Sequence, residues 1–212
     1  MQIVIALFDR FTALDAVGPY QVLHHLPGAE VVFAAERTRV VTADSRTLSL
    51  RADVSFAEVP SPDVVVIPGG PGQAGQMSPG PLQDWLLAAD QTSAWTTSVC
   101  TGSLILAGAG LLAGRKATTN WLAHDELRRL GAVPQQERYV FDGKYVTAAG
   151  VSAGIDMALA LAGRIAGDEE GQRIQLMIEY DPQPPYDSGS PATAKPEIVA
   201  SLRATSRFAQ PA

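Results

Sequence analysis

The segment Asp63-Val64-Val65-Val66-Ile67-Pro68-Gly69-Gly70-Pro71-Gly72 decides how this chain folds. A run of β-branched residues without polar interruption is typical of a strand that is buried on both faces, as strands of parallel sheets are. The prolines and glycines that follow end the strand at once, and glycine lets backbone amides approach a ligand closely. The segment therefore predicts a central parallel strand that ends in a tight turn.

Strands and helices alternate on either side of this segment. Apolar runs predict strands at Gln2–Leu7, Glu30–Ala35 and Ala94–Val99. Helices are predicted at Pro81–Ala89, Thr101–Leu112 and Gly154–Ile165, and from a cap at Asp168 through Ile178. Residues 40–56 alternate like exposed hairpin strands outside the main sheet, and Asp142-Gly143 marks the turn of a second hairpin, Tyr139–Thr147.

This alternation predicts an α/β fold, a single-domain, doubly wound and mostly parallel sheet with helices on both faces. Residues 1–180 are expected to form the catalytic part, and the proline-rich residues 181–212 a surface-wrapping tail of the same domain. Ligands bind beyond the carboxyl ends of the strands in such sheets. The loops after residues 7, 67 and 99 should therefore converge on the functional site.

The composition limits the partners of the protein. A formal net charge of −6 leaves no basic field for phosphates, so we expect neither nucleic acid nor membranes as partners. The amino-terminal residues read as a strand and not as a signal peptide, and no apolar stretch nears the ~20 residues of a membrane span. We therefore expect a cytoplasmic protein. Its single cysteine excludes an internal disulfide and a multi-cysteine metal site.

That cysteine lies in Ser98-Val99-Cys100-Thr101-Gly102, which has the small-residue pattern of a nucleophile elbow, a strained strand-to-helix turn. At the amino end of the following helix, free N–H groups should favour the thiolate over the thiol. The alternative is a buried structural cysteine. The elbow context favours Cys100 as a nucleophile.

A cysteine nucleophile needs a base or an orienting acid. The three histidines, at positions 24, 25 and 124, have no convincing placement, and the Thr101 hydroxyl cannot serve as a base near neutral pH. Asp15 is the better candidate, since it should lie in the loop after the first strand. If Pro19 stands in the first helical turn, the cap moves to Gly18 and leaves Asp15 free, although a helix cap is the ordinary role of such an aspartate.

Two further features could serve the same site. Burial beside a thiolate would raise the pKa of Asp15 and keep a proton available for donation. The backbone N–H groups of Gly69 and Gly70 could form an oxyanion hole, although glycine pairs often make ordinary turns.

Five separated segments, in the same order along the chain, resemble the ThiJ/PfpI superfamily. They are Leu14–Pro19, Ile67–Gly70, Ser98–Gly102, Ala117–Trp121 and Ala153–Asp156. Two later segments, Gln175–Pro182 and Pro184–Ser190, are similar to the isocyanide hydratases within that superfamily. The resemblance implies a flavodoxin-like sandwich, as in class I glutamine amidotransferases.

The resemblance also implies a function. It implies a hydro-lyase that converts an isocyanide, R–NC, and water to an N-substituted formamide, in a homodimer without metal or organic cofactor. Cys100 would match the nucleophile that forms a thioimidate, and Asp15 the general acid. Thr101 would match a residue that hydrogen-bonds near the nucleophile, and Gly70 with the Thr101 amide would line the oxyanion-hole side.

One position departs from the family pattern, because a histidine is expected where Asn120 stands. We favour Asn120 as the cap of a helix that begins at Trp121, and Trp121 as a packing residue, with a pocket wall as the alternative. Other superfamily activities stay open, namely glyoxalase-, deglycase- or amidase-like chemistry and a stand-alone thiol sensor related to AraC-type regulators. Thr101 in place of an adjacent histidine argues against a peptidase.

Overall fold

The computed structural model describes residues 1–209. The strands are β1 (Gln2–Ala6), β2 (Glu30–Ala35), β3 (Arg39–Thr42), β4 (Ser49–Ala52), β5 (Val54–Ser55), β6 (Val64–Ile67), β7 (Trp95–Val99), β8 (Lys116–Ala117), β9 (Val133–Pro134), β10 (Tyr139–Asp142) and β11 (Tyr145–Ala148). The helices are α1 (Ala13–Leu23), α2 (Pro81–Asp90), α3 (Gly102–Gly108), α4 (His124–Arg129), α5 (Ala153–Ala166), α6 (Asp168–Met177) and α7 (Pro196–Ala204). Short 3-10 turns occupy Phe56–Glu58, Pro71–Gln76 and Trp121–Ala123.

Seven strands form the main sheet, in the order β10-β11-β7-β6-β1-β2-β5. All neighbours in it are parallel except β10 and β11, which form the predicted hairpin. The prediction of a mostly parallel, doubly wound sheet is confirmed. Strand β6 lies between β1 and β7, and all four of its side chains are fully buried, as the apolar run at Val64–Ile67 predicts.

The helices cover this sheet in packed groups. Helix α5 packs against both α1 and α6, while α3 packs against α4. Strands β3 and β4 pair antiparallel in a small sheet of their own, as the alternation in residues 40–56 predicts. Within residues 1–209, no helix combines the length and the apolarity needed to span a membrane.

The predicted start of α1 is wrong. The helix begins at Ala13 with Thr12 as its N-cap, so Asp15 lies in its first turn and Pro19 in its interior. A proline ring clashes with the Cβ of the residue before it, but that residue is Gly18, which has no Cβ. The backbone can therefore stay helical, and the buried Val22 and Leu23 hold the helix on the core.

The carboxy-terminal segment has more structure than its composition predicts. Residues 181–195 contain neither helix nor strand, but α7 follows them. Beyond α7, Phe208 packs against the hydrophobic core. The tail therefore returns to the body of the protein.

Candidate active site

Three loops meet at the carboxyl edge of the sheet, as predicted. Thr12, after β1, donates its backbone N–H to the carbonyl of Gly69, after β6, at 2.8 Å. Gly70 in turn donates its N–H to the hydroxyl of Thr101, after β7, at 3.0 Å. These bonds link the start of α1, which carries Asp15, to the glycine pair after β6 and to the turn at Cys100.

Cys100 occupies a strained turn between β7 and α3. Its φ is +55°, a left-handed conformation that non-glycine residues rarely adopt, and its side chain is only 6% exposed. The turn leaves no room for a side chain at Gly102, because a Cβ there would collide with the carbonyl of Ile67 and lie 2.9 Å from that of Pro68. The geometry is that of a nucleophile elbow.

Both glycine amides already have partners. The N–H of Gly69 donates to Asp15 Oδ2 at 3.0 Å, and that of Gly70 to the Thr101 hydroxyl. The expectation that Gly69 and Gly70 offer free N–H groups to an oxyanion is therefore corrected: they hold the site together. A Cβ on Gly69 would lie 2.5 Å from the Thr101 nitrogen, which explains the glycine there.

Asp15 is a fully buried carboxyl beside the thiol. Its Oδ2 accepts the Gly69 bond, while its Oδ1 has no hydrogen-bond partner among the described residues. Burial raises the pKa of Asp15 to about 8, with a smaller increase from Asp44; the bond from Gly69 and an interaction with Cys100 oppose the rise. The carboxyl therefore keeps its proton at neutral pH.

The thiol differs from the expectation. Burial and the nearby Asp15 raise the pKa of Cys100 to about 12, although the Thr101 amide, Asn120 and Arg207 lower it. Helix α3 has seven residues, and its amino end does not outweigh removal of the sulfur from water. The buried environment therefore favours the thiol over the thiolate, the opposite of the direction expected from the helix terminus.

Asn120 is both a cap and a neighbour of the thiol. Its Oδ1 accepts the Leu122 N–H at 3.1 Å, which caps the 3-10 turn that begins at Trp121, as predicted. A Cβ on Gly150 would lie 2.7 Å from Asn120 Nδ2 and 3.1 Å from Cys100 Sγ, so the amide and the sulfur face the same small space. Trp121 is partly exposed, and the guanidinium of Arg203 lies 5.7 Å from its ring centre.

The histidines do not complete a cysteine–histidine pair. The ring of His24 lies at the carboxyl end of α1, opposite Asp15, with Nδ1 2.8 Å from the Tyr20 carbonyl oxygen. His124 is the first residue of α4, and burial lowers its pKa. The groups that shift the pKa of Cys100 include no histidine. Among residues 1–209, no cluster of three or more acidic, cysteine or histidine side chains could hold a metal ion.

One residue of the site has no sequence signal. Arg207 donates to the Pro71 carbonyl at 2.9 Å and to the Gly70 carbonyl at 3.0 Å. It stands in a tail whose composition predicts only a surface covering. Together with Gln73, Met77 and Phe208 it also lines a cavity of about 640 Å³ beside the site.

The fold and this edge define the class of protein. It is an α/β protein with a cysteine on a strained strand-to-helix turn and a buried, protonated carboxyl beside the sulfur. The chain belongs to the DJ-1/PfpI family, whose model matches residues 1–164.

Similar proteins of known name or structure cover most of the chain. The isonitrile hydratase of Pseudomonas putida is 42% identical over 203 residues, which cover 96% of this chain and 89% of that protein. The crystal structure of a ThiJ/PfpI family protein from Pseudomonas syringae aligns with a TM-score of 0.93 at 34% identity, covering 98% of this chain and 87% of that one. The HTH-type transcriptional regulator CdhR of Pseudomonas aeruginosa is 30% identical over 172 residues, 68% of this chain but 50% of the regulator.

Proposed function

We propose that this protein is an isocyanide (isonitrile) hydratase, a hydro-lyase in which Cys100 is the nucleophile and Asp15 the general acid. The 42% identity to the Pseudomonas putida enzyme along nearly the whole chain supports the reaction. The observation that carries the mechanism is the buried Asp15, whose pKa of about 8 leaves a proton to donate at neutral pH.

The chemistry requires one acid and one thiol. The terminal isocyanide carbon takes the proton of Asp15 while the sulfur of Cys100 bonds to the same carbon, and the thiol proton passes to the Asp15 carboxylate. The product is a thioimidate, Cys–S–CH=N–R, in which the sulfur and one hydrogen have both been added to the former isocyanide carbon. Burial suits this step, because reactants and product are all neutral and no charge must persist away from water.

Water completes the cycle. It adds to the thioimidate carbon, the C–S bond then breaks, and one water proton ends on nitrogen while the other returns to sulfur. The products are the formamide R–NH–CHO and the free thiol, so Asp15 and Cys100 end as they began. The amides of Thr101 and Asn120, which lower the pKa of Cys100, assist whenever negative charge develops on the sulfur.

The test is conversion of an alkyl isocyanide to its formamide, followed by chromatography, with Cys100→Ala and Asp15→Asn measured beside the wild type. We expect no turnover above the uncatalysed rate for Cys100→Ala, and a fall of about a hundredfold or more for Asp15→Asn, the size of a lost general acid. Wild-type protein without turnover would refute the proposal. Full activity in Cys100→Ala would remove the nucleophile from it.

The exposed apolar side chains of the carboxy-terminal region favour a homodimer as the working form. Leu176 and Tyr186 are each 79% exposed, and Ile198 and Leu202 on α7 are about half exposed. Exposed large apolar side chains of this kind are typical of surfaces that a second subunit covers. Sedimentation would show a monomer if this part of the proposal were wrong. We propose the cytoplasm as its location, with a small isocyanide as substrate.

A second candidate is a thiol sensor, because the regulator CdhR matches this chain over 172 residues. A sensor cysteine needs thiolate character and access to oxidant. Cys100 is only 6% exposed and its pKa is raised to about 12, so its access to oxidant and its thiolate fraction are both low. Comparing the isocyanide with methylglyoxal and a peptide substrate would also distinguish the hydratase from glyoxalase-, deglycase- and amidase-like activities of the same cysteine.

A further inference from the structure

The carboxy-terminal segment delivers one cation to the candidate active site. Arg207 stands 137 residues beyond Gly70 in sequence, yet its Nη2 donates to the Gly70 carbonyl at 3.0 Å and its Nη1 to the Pro71 carbonyl at 2.9 Å. The same Nη2 lies 3.4 Å from the Thr101 hydroxyl, the group that already accepts the Gly70 N–H. Arg207 therefore contacts the turns after β6 and β7 together.

The charge of this guanidinium is not neutralised locally. Its partners are neutral oxygens, and within residues 1–209 no carboxylate forms an ion pair with it. Half-buried, it has a pKa lowered by desolvation and by Arg10, while Cys100 raises it. An arginine nevertheless stays charged, so its field acts on the sulfur.

We propose that Arg207 is a positioning residue of the Cys100 site: it fixes the Gly70–Pro71 turn against Thr101 and sets a positive charge beside the sulfur. The tail is then part of the active site and not only a covering. In the reaction proposed above, on which the kinetic part of this inference rests, the charge would stabilise negative charge as it develops on sulfur during carbon–sulfur bond formation and cleavage.

The charged groups that face the sulfur come from different elements. Asp15 on α1 raises the pKa of the thiol and Arg207 lowers it, while Asp44 acts on the pKa of Asp15 and Arg10 on that of Arg207. Removing the positive charge of Arg207 removes one of the groups that counteract the effect of burial on the Cys100 thiol. The fraction of thiolate at any pH below the pKa of Cys100 must then fall.

Alkylation measures this without a substrate, because Cys100 is the only cysteine of the chain. We would follow the rate of iodoacetamide addition to the folded protein from pH 7 to 9.5 by mass spectrometry, for wild type, Arg207→Gln and Arg207→Lys. Glutamine can still donate to a carbonyl but carries no charge, whereas lysine keeps the charge. Arg173→Gln, an exposed arginine on α6, controls for the loss of one charge elsewhere.

We expect alkylation of Arg207→Gln to be about two- to threefold slower at each pH, because Arg207 is the weakest of the groups that lower the pKa of Cys100. Arg207→Lys should recover most of the rate, and Arg173→Gln should match the wild type. If the glutamine and lysine variants were alkylated at equal rates, whether near the wild-type rate or below it, the proposed role of the Arg207 charge would be overturned. Thermal melting of each variant shows whether a slow rate reflects unfolding. Isocyanide turnover is measured in parallel, so a protein that alkylates as expected but hydrates nothing would refute the proposed function alone.

Discussion

Replacing Asp15 by asparagine should lower activity and yet stabilise the protein at neutral pH. The unfolded chain ionises this carboxyl near 3.8, but the folded protein keeps it protonated up to about 8. Between those values folding takes up a proton, so stability contributed by Asp15 is highest at low pH and falls as the pH rises. Above about 8 the decline stops, because both states are then ionised.

The size of the effect follows from the shift. Each unit between the two pKa values corresponds to about 1.4 kcal/mol, so holding Asp15 in the fold costs on the order of 4 kcal/mol at pH 7. Asparagine has no such penalty, and its carbonyl can accept the Gly69 N–H that Asp15 Oδ2 accepts now. Its NH₂ group, however, would stand where Oδ1 has no partner, at a cost of ~1–3 kcal/mol.

The balance changes sign with pH. We expect Asp15→Asn to be less stable than wild type near pH 4 and more stable by about 2 kcal/mol at pH 7, with equal stability at roughly pH 5. For a chain of this size the gain corresponds to a rise of about 4–8 °C in Tm. Such a gain in a variant that loses turnover would mark a site where function is retained at the expense of stability.

Denaturant unfolding at pH values from 4 to 9 tests this reasoning. The control is Asp187→Asn, which removes a carboxylate from an exposed part of the tail and should follow the wild type at every pH. A difference between Asp15→Asn and wild type that does not vary with pH would refute the raised pKa. If Asp15→Asn were less stable than wild type at every pH, the cost of burying the unpaired NH₂ group would exceed the cost of keeping the Asp15 carboxyl protonated.

The remaining predictions concern the turn and its neighbours. Gly102→Ala should destabilise the protein by ~1–3 kcal/mol in denaturant unfolding, because the new Cβ would collide with the backbone of Ile67 and Pro68. The control is Gly75→Ala, which should have little effect because the space around its Cβ is open. Asn120→Asp keeps the oxygen that caps Leu122 but places a carboxylate near the thiol, so alkylation of Cys100 should slow while thermal stability changes little. An unchanged alkylation rate would show that Asn120 does not influence the sulfur. Asn120→Ala should lose both the cap hydrogen bond and the interaction with the thiol, and the loss of the cap should lower the stability by about 1 kcal/mol, seen as a lower Tm.

Much of this architecture could be read from the sequence because its signals are local. The apolar run of β6, the hairpin at Asp142-Gly143 and the strand-to-helix turn at Cys100 depend on residues that are neighbours in the chain. Their order then predicts which loops reach the carboxyl edge of the sheet. The wrong start of α1 arose because Gly18 removes the clash by which Pro19 would otherwise limit the helix, and α3 also ends at Gly108, before the predicted Leu112.

The tertiary structure alone decided the chemistry of that edge. The bond from Gly69 to Asp15 joins residues 54 apart, and that from Arg207 to Gly70 joins residues 137 apart, so neither follows from a local pattern. The protonation of Asp15 and Cys100 depends on how completely the packed chain excludes water from both, and that exclusion exists only after folding. The sequence by itself determined the sheet and the place of its cysteine; packing determined that a buried carboxyl, the thiol and an arginine from the tail meet at one edge of that sheet.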